Sequence, residues 1–269
     1  IGILRGEGWL PMLRTAISLA VAAIPEGLPA VATTTLAIGV QDMRKRNVLV
    51  RTLDAVETLG AVEIVGLDKT GTLTENRMAA VAVHVDGVLY ALDGAKLTLE
   101  RKAAPAEAVR VAARMFEVAS LCSDATLAGD AAQPQVLGTP TEGALVQSAL
   151  ELGVDVARLR RERPITTTVS RTMGRKRMST LHALAGRRRL LCVKGDPIEV
   201  LERCTHRLAA QGPVPLDAAA RAEIVRSNQR MASQALRVLG MAVGENGGDP
   251  RKEEQLLWLG LAGLANPIR

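Results

Sequence analysis

Between Thr15 and Val40 the chain carries one ionisable residue, Glu26, in 26 positions. A helix needs about 20 apolar residues to span the hydrocarbon of a bilayer, so this run is long enough to cross. Its middle reads Pro25-Glu26-Gly27-Leu28-Pro29. The two prolines remove two backbone donors and clash with the preceding turn, and Gly27 loosens the helix further. In lipid the freed carbonyls must find partners, and a carboxylate at that depth needs a cation or a proton. One arrangement answers both demands: unwound carbonyls and Glu26 coordinate an ion, as broken membrane helices do. A signal peptide led by Arg5 or Arg14, or a buried soluble helix, would share the apolar composition. The proline-flanked break and the cluster Arg44, Lys45, Arg46 favour the membrane reading and put the C-terminal side in the cytosol.

Past Val40 the pattern changes. Residues 41–60 are charged and helical in pattern, with Leu49, Leu53, Val56 and Leu59 on the apolar side. A short apolar run, Val62 to Leu67, stops abruptly at Asp68. From Ala79 onward, strand-like and helix-like pieces alternate. The strands are expected over 80–85, 88–91, 178–184, 190–193, 238–243 and 257–264. Helices are expected over 105–122, 141–152, 197–204 and 217–236, with a polar Gly-rich loop at 244–250. The mixture points to an α/β or α+β domain. Trp9, Tyr90, Phe116 and Trp258 are the only aromatics, so cores must be built from Ala, Val and Leu. Cys122, Cys192 and Cys204 have no C-x-x-C spacing and read as reduced thiols. His84, His182 and His206 stand apart from other ligand types and read as structural. The absence of an initiator Met and the abrupt close on Asn266-Pro267-Ile268-Arg269 suggest a piece of a longer protein.

The segment Glu63 to Leu67 reads as a buried strand running into Asp68-Lys69-Thr70-Gly71-Thr72-Leu73-Thr74. A carboxylate at the C-terminal tip of a parallel strand lies where open α/β sheets bind ligands. Asp68 can attack a γ-phosphate to form an acyl phosphate, Lys69 can offset the transferred charge, and Mg²⁺ would bridge Asp68 and the phosphate. Gly66 and Gly71 have P-loop spacing, but Thr72 stands where that motif demands Lys, so this is not a Walker A site.

These seven residues are the phosphorylation motif of the P-type ATPases, a family with a haloacid-dehalogenase-like fold, and the resemblance extends over the chain. It implies catalytic roles for Asp68, Lys69, Thr70 and Thr72, and Mg²⁺ held by Asp68 and the Thr70 carbonyl. Phosphatases of that fold carry a second Asp where this chain has Thr70, which implies a phosphoenzyme that persists. The Pro25 to Pro29 break resembles the ion-site break of the fourth membrane helix in pumps for hard cations such as Ca²⁺. By that likeness Glu26 is a side-chain ligand and the carbonyls of Val21, Ala22 and Ile24 are backbone ligands. No Cys flanks the prolines, which suits a hard cation.

Four further segments resemble the family's nucleotide-binding domain. The stretch Gly138 to Leu145 resembles the segment whose Glu approaches the adenine amino group, which by that likeness is Glu142. Lys194-Gly195-Asp196-Pro197 lines the adenine pocket, Arg175-Lys176-Arg177-Met178 places Lys176 near the purine, and Arg237 reaches the phosphates. Singly, each is an ordinary dipeptide or a solvated cap; their joint order and spacing carry the likeness. Where relatives stack a Phe on adenine, Ser170 to Gly174 holds no aromatic, and Arg171 is expected to stack through its guanidinium. Asp196 replaces a small residue and is expected to change the pocket's polarity. The stretch from Arg158 to Arg189 holds ten Arg, one Lys and a single acid, Glu162. It lacks stacking aromatics and any helix-turn-helix or zinc-finger spacing, so it reads as a solvated face that steers ATP, not as a nucleic-acid site.

The expected fold is thus mixed α/β and α+β. It comprises one transmembrane helix (1–42), the first segment of a haloacid-dehalogenase-like Rossmannoid phosphorylation domain (43–78), an inserted α+β nucleotide-binding domain (79–265), and a hinge (266–269) leading back to the remainder of its own polypeptide. The resemblance implies ATP and Mg²⁺ as cofactors, a transported cation with Ca²⁺ favoured, contact with membrane lipid, and a multi-pass plasma-membrane parent with cytosolic catalytic domains. The family's second half of the phosphorylation domain, with its catalytic Lys and Gly-Asp-Gly-x-x-Asn-Asp loop, does not occur in this sequence. The chain alone is therefore expected to bind ATP with little turnover. Two other readings stay open: a non-enzymatic ATP-binding remnant or regulatory module, and a membrane-anchored phosphatase of the same fold, against which Thr70 argues.

Overall fold

In the computed structural model the described residues are 5–6, 8–23, 27–66, 78–129, 134–245 and 253–266. The chain divides into two compact units, Ile1–Leu67 and Asp68–Arg269.

Among its described residues the first unit holds three helices: α1 (Trp9–Ala22), α2 (Gly27–Lys45) and α3 (Asp54–Gly60). The stretch Trp9–Lys45 is long and apolar enough to cross a membrane, and no residue of α1 or α2 is buried against protein. Pro29 sits in the first turn of α2, where backbone N–H groups lack helical partners in any case. The hydroxyls of Thr33, Thr34 and Thr35 donate to the carbonyls of Pro29, Ala30 and Val31 at 2.7–2.9 Å. Each hydroxyl is thereby satisfied inside its own helix, as an apolar medium requires. Ile24, Pro25 and Glu26 lie outside the described residues.

Two expectations need correction here. The helical pattern over 41–60 is not one helix. Asn47 adopts φ 61° after α2, and Val48 N–H closes onto Met43 O at 3.0 Å, a left-handed helix stop that Asn tolerates. The apolar run expected as a buried strand is also not one: residues 62–66 form no strand, and Ile64 is 88% exposed. A strand needs neighbours for its backbone groups, and no described strand pairs with this run. Leu67 and residues 68–77, including Asp68, Lys69, Thr70 and Thr72, lie outside the described residues.

The second unit is built on one large sheet. Its strands are β1 (Ala79–Val85), β2 (Val88–Asp93), β3 (Lys96–Leu99), β4 (Lys102–Ala103), β7 (Ile165–Val169), β8 (Arg177–Ala183), β9 (Arg189–Gly195), β10 (Cys204–Ala209), β11 (Gly212–Pro215), β12 (Arg237–Glu245) and β13 (Leu256–Ala265). A separate hairpin joins β5 (Thr126–Ala128) and β6 (Gln135–Leu137). The order runs β4-β3-β2-β1-β13-β12-β9-β8-β7, with β10 parallel to β13 and β11 antiparallel to β10. The helices are α4 (Ala106–Leu121), α5 (Pro140–Glu151), α6 (Val156–Glu162), α7 (Pro197–Leu201) and α8 (Ala218–Ser233).

Two apolar clusters account for the burial. Leu190 and Cys192 of β9 join Phe116, Met115 and Leu145 of α4 and α5. Leu191 and Val193 join Val200, Ile224 and Met231 of α7 and α8. Successive β9 residues thus enter different clusters, which is why the strand reads as a continuous apolar run. Ala108, Val111, Ala112, Met115, Phe116 and Ala119 recur at helical spacing and bury one stripe of α4. The mixed α/β make-up agrees with the expected class. The helix expected over 197–204 stops at Leu201, and Cys204 begins β10. The basic stretch is not simply a solvated face: the half-buried Arg160 donates to Ser120 O at 2.8 Å and Ala125 O at 2.7 Å. All three cysteines are free and buried, and burial pushes Cys122 up to about 11 and Cys204 up to about 12.

His182 is buried in this core, with Nδ1 2.8 Å from Arg163 O and Nε2 2.9 Å from the Thr180 hydroxyl. Burial lowers its pKa below 6.5, and the charges of Arg163 and Arg160 act in the same direction. Below that value the unfolded chain takes up a proton that the fold resists, so stability falls as pH drops from neutral. Urea unfolding between about pH 7 and pH 5.5 is expected to show this loss, at most about 1.4 kcal/mol per pH unit from this group. His182→Asn should flatten the slope; an unchanged slope would contradict the assignment.

Candidate functional site

An open cleft of about 720 Å³ lies at one end of the sheet. One wall is the start of α5, where Thr139 is extended and Pro140 takes the first helical position, a place its fixed φ suits. The other walls are the start of β8, the end of β9 and the start of β12. Glu142, Arg171, Lys176, Lys194, Gly195 and Arg237, the six residues singled out in the sequence for nucleotide contact, all line this cleft. They come from four separate stretches of chain, with Arg171 and Lys176 on the same turn. Asp124, Thr139 and Asn266 also line it and were not singled out.

Lys194 is 4% exposed and forms an ion pair with Glu142, which is 18% exposed. A buried ammonium requires such a partner. Gly195 lies opposite Arg177 on β8 and opposite Gly240 on β12. A Cβ at Gly195 would sit 2.5 Å from Lys176 O, so only glycine lets β8 and β9 close at this point. The next N–H, of Asp196, donates to that same carbonyl at 2.9 Å. Asp196 does not line the cleft, contrary to the expectation that it alters the pocket's polarity. Its Oδ1 accepts from the N–H groups of Ile198 and Glu199 at 3.1 Å and so caps α7.

The entrance of β8 is held by two carboxylates that the sequence did not flag. Glu253, whose side chain is 0% exposed, pairs with both Arg175 and Arg177, and Arg203 approaches it at 3.7 Å. Glu199 accepts from Arg177 at 2.9 Å and from the Lys176 N–H at 3.1 Å. Partial burial alone would raise the Glu199 pKa, but the bonds from Arg177 and Lys176 N–H and the charges of Arg177 and Arg203 hold it below the ordinary range. The Arg175 guanidinium also donates to Val169 O at 3.1 Å, Ser170 O at 3.3 Å and the Ser179 hydroxyl at 2.6 Å. It thereby ties down the turn that carries Arg171 and Lys176. Arg171, Lys176 and Arg237 make no side-chain ion pair among the described residues, which leaves three cations facing the cleft. No aromatic residue lines it, and Phe116 lies fully buried in the core.

Val21 and Ala22 close α1, whose capping Ala23 N–H is directed at the Leu19 and Val21 carbonyls. Ile24, Glu26, Asp68, Lys69, Thr70 and Thr72 are outside the described residues. Among the described residues, no group of three or more His, Cys, Asp or Glu could hold a metal.

Glu253→Ala would strip the buried counter-charge from two arginines. It is expected to cost about 3–5 kcal/mol in chemical denaturation. A loss within experimental error of zero would show that the network is not what holds the β8 entrance.

Residues 112–269 match the family model described as P-type ATPase, cytoplasmic domain N. The chain is 37% identical over 289 residues to the cation-transporting ATPase pma1 of Synechocystis sp. and 35% over 284 to the probable cation-transporting ATPase F of Mycobacterium tuberculosis. It is 33% identical over 281 residues to the calcium-transporting ATPase of Bacillus subtilis. Each alignment takes in 100% of this chain and 31–32% of the relative, so the chain spans about a third of the length of these proteins.

Proposed function

This chain belongs to the P-type ATPases, and from that premise we propose that the whole protein couples ATP hydrolysis to the movement of a cation across a membrane. The observation that carries the proposal is the convergence of Glu142, Arg171, Lys176, Lys194, Gly195 and Arg237 on one cleft. Its volume, about 720 Å³, falls within the range of small-molecule sites. Lys194, Gly195 and Glu142 take the adenine, the Glu142 carboxylate accepting from its amino group. Lys176 lies beside the purine, Arg171 covers it with a planar guanidinium in place of an aromatic ring, and Arg237 neutralises phosphate charge.

Chemistry then passes to Asp68 in the haloacid-dehalogenase-like phosphorylation domain begun by residues 43–78. One Asp68 carboxylate oxygen bonds to the γ-phosphorus as the bond to the bridging oxygen of ADP breaks, and Lys69 offsets the charge in transfer, with Thr72 beside them. The oxygen donors of Asp68 and the Thr70 carbonyl suit Mg²⁺, which supplies charge neutralisation to the phosphoryl oxygens. Glu26 and the carbonyls of Val21, Ala22 and Ile24 hold the transported ion at the break in the membrane helix. The oxygen-only donor set favours a hard cation, Ca²⁺ first, in keeping with the calcium-transporting relatives. The exposure of residues 62–66 supports the expectation that the chain alone binds ATP without efficient turnover.

Titration of the chain with ATP in a calorimeter tests the cleft. Arg237→Ala is expected to weaken binding by about 10-fold or more, the scale of one lost charge-assisted contact. Arg171→Ala is expected to weaken it by about 2–10-fold, the scale of a guanidinium–ring contact. Unchanged affinity in Arg237→Ala would remove the phosphate role, and unchanged affinity in Arg171→Ala would remove the stacking role.

A further inference from the structure

The second unit holds another cavity, of about 310 Å³, whose lining includes His84, Asp86, Arg207, Asp217, Glu223 and Trp258. It lies at the other end of the strands from the cleft. Met78, just before β1, lines the cleft, whereas His84, near the end of β1, lines this cavity. Likewise Leu264 of β13 lines the cleft and Trp258 of the same strand lines the cavity. Six residues of extended chain separate each pair, about 20 Å.

His84 reaches this cavity because of an irregularity in β1. The register against β13 shifts between Ala80 and Ala82, so Ala80 packs in the α4 and α5 cluster while Ala82 packs in the α7 and α8 cluster. His84, two residues after Ala82, therefore faces α8. It is 2% exposed, and neither ring nitrogen has a hydrogen-bond partner among the described residues. Nε2 stands 3.6 Å from Glu223 Oε1, too far for a hydrogen bond. A buried imidazole held only by so long a contact with a carboxylate keeps its ring nitrogens able to pair with a group that enters the cavity.

The charge around His84 says which kind of group. In a chain of net charge +6, this lining gathers three carboxylates against one guanidinium. Asp86 is already matched: Arg207 donates to it at 3.1 Å, and Ala210 N–H donates to its other oxygen at 3.1 Å. Asp217 caps α8 through Ala220 N–H at 2.7 Å, offsetting the positive end of that helix. Glu223, which lines the cavity, accepts from Ser227 at 2.8 Å on one oxygen and from the exposed Arg226 at 3.1 Å on the other, so each oxygen keeps a further lone pair. Its pKa is lowered first by the Ser227 bond, despite partial burial, and next by Arg226, so it is a carboxylate at neutral pH. Burial lowers the His84 pKa against the opposing pull of Glu223, so the imidazole is neutral there and offers an acceptor nitrogen. Trp258 and Ile224 supply apolar surface, and an indole face attracts cations.

We propose that this cavity binds a small organic ammonium ion, its N–H groups shared between the Glu223 carboxylate and the His84 imidazole and its hydrocarbon body against Trp258 and Ile224. The site is separate from the ATP cleft and rests on none of the residues assigned there. An anion is disfavoured because Arg207, the lone cation of the lining, is committed to Asp86.

The test uses the detergent-solubilised chain and ring-proton NMR. With three histidines in the sequence, the His84 signals are identified by their loss in His84→Asn. Benzylammonium is expected to shift them saturably, while benzyl alcohol, its neutral isostere, shifts them at least about 10-fold more weakly, the scale of one charge-assisted bond. Glu223→Gln should weaken benzylammonium by a similar factor and leave ATP binding unchanged. Should that variant fail to fold, the comparison of the two probes decides alone. No saturable shift with benzylammonium, equal affinity for benzyl alcohol, or saturable binding of inorganic phosphate instead would overturn the proposal.

Discussion

The geometry of the cleft depends on a single buried carboxylate. Arg175, Lys176 and Arg177 are three successive cations at the mouth of a strand, and without counter-charge they would repel one another and fray. Glu253 lies between the two arginines with no exposed side-chain surface, and Glu199 accepts from the Arg177 guanidinium and from the Lys176 backbone N–H. Because Arg175 also grips the carbonyls of Val169 and Ser170, the pairing holds the turn that presents Arg171 and Lys176. Two of the cleft's free cations, Arg171 and Lys176, are thus carried on a turn whose arginines Arg175 and Arg177 are matched to carboxylates, while the third, Arg237, stands on β12. Such matching keeps the loop's shape while its unpaired cations stay turned to the cleft.

The near absence of aromatics shapes everything around this network. With Phe116 as the largest fully buried side chain, the core gains its area from many small residues and close backbone approaches. Gly195 is one such approach, and Gly240, against which Trp258 packs, is another. Small side chains let β1, β13, β12 and β9 lie between α4 and α5 in one cluster and α7 and α8 in the other. The strands then act as stiff rulers. What gathers at one end of them, the cationic cleft, is kept about 20 Å from the acid-lined cavity at the other.

Much of this was legible in the sequence, and the failures have physical causes. Leu190 to Val193 and Leu257 to Leu264 are continuous apolar runs because both strand faces are covered, and α4 shows a full helical stripe. The hairpin of β10 and β11 was missed because β10 mixes polar with apolar residues without a period and β11, Gly212–Pro215, carries two prolines that argue against a strand. The run at Val62 to Leu67 has a strand's composition, but a strand exists only where others pair with it. Asn47 stops a helix whose apolar period continues past it, which only the left-handed preference of Asn could have signalled. The six cleft residues could be picked out by local motif. Glu253 could not, since it follows a Gly-rich loop and its partners lie 76 and 78 residues away in the chain. Long-range charge matching leaves no local trace.

The central claim is that ATP bound in this cleft phosphorylates Asp68 in a cation-driven cycle. The direct measurement is incubation of the full-length protein, in its membrane, with γ-phosphate-radiolabelled ATP, followed by acid quench. The account predicts a label that requires Ca²⁺ or another hard cation, is released by hydroxylamine as acyl phosphates are, and vanishes in Asp68→Asn. Labelling that persists in Asp68→Asn, or that is indifferent to every cation tried, would contradict it.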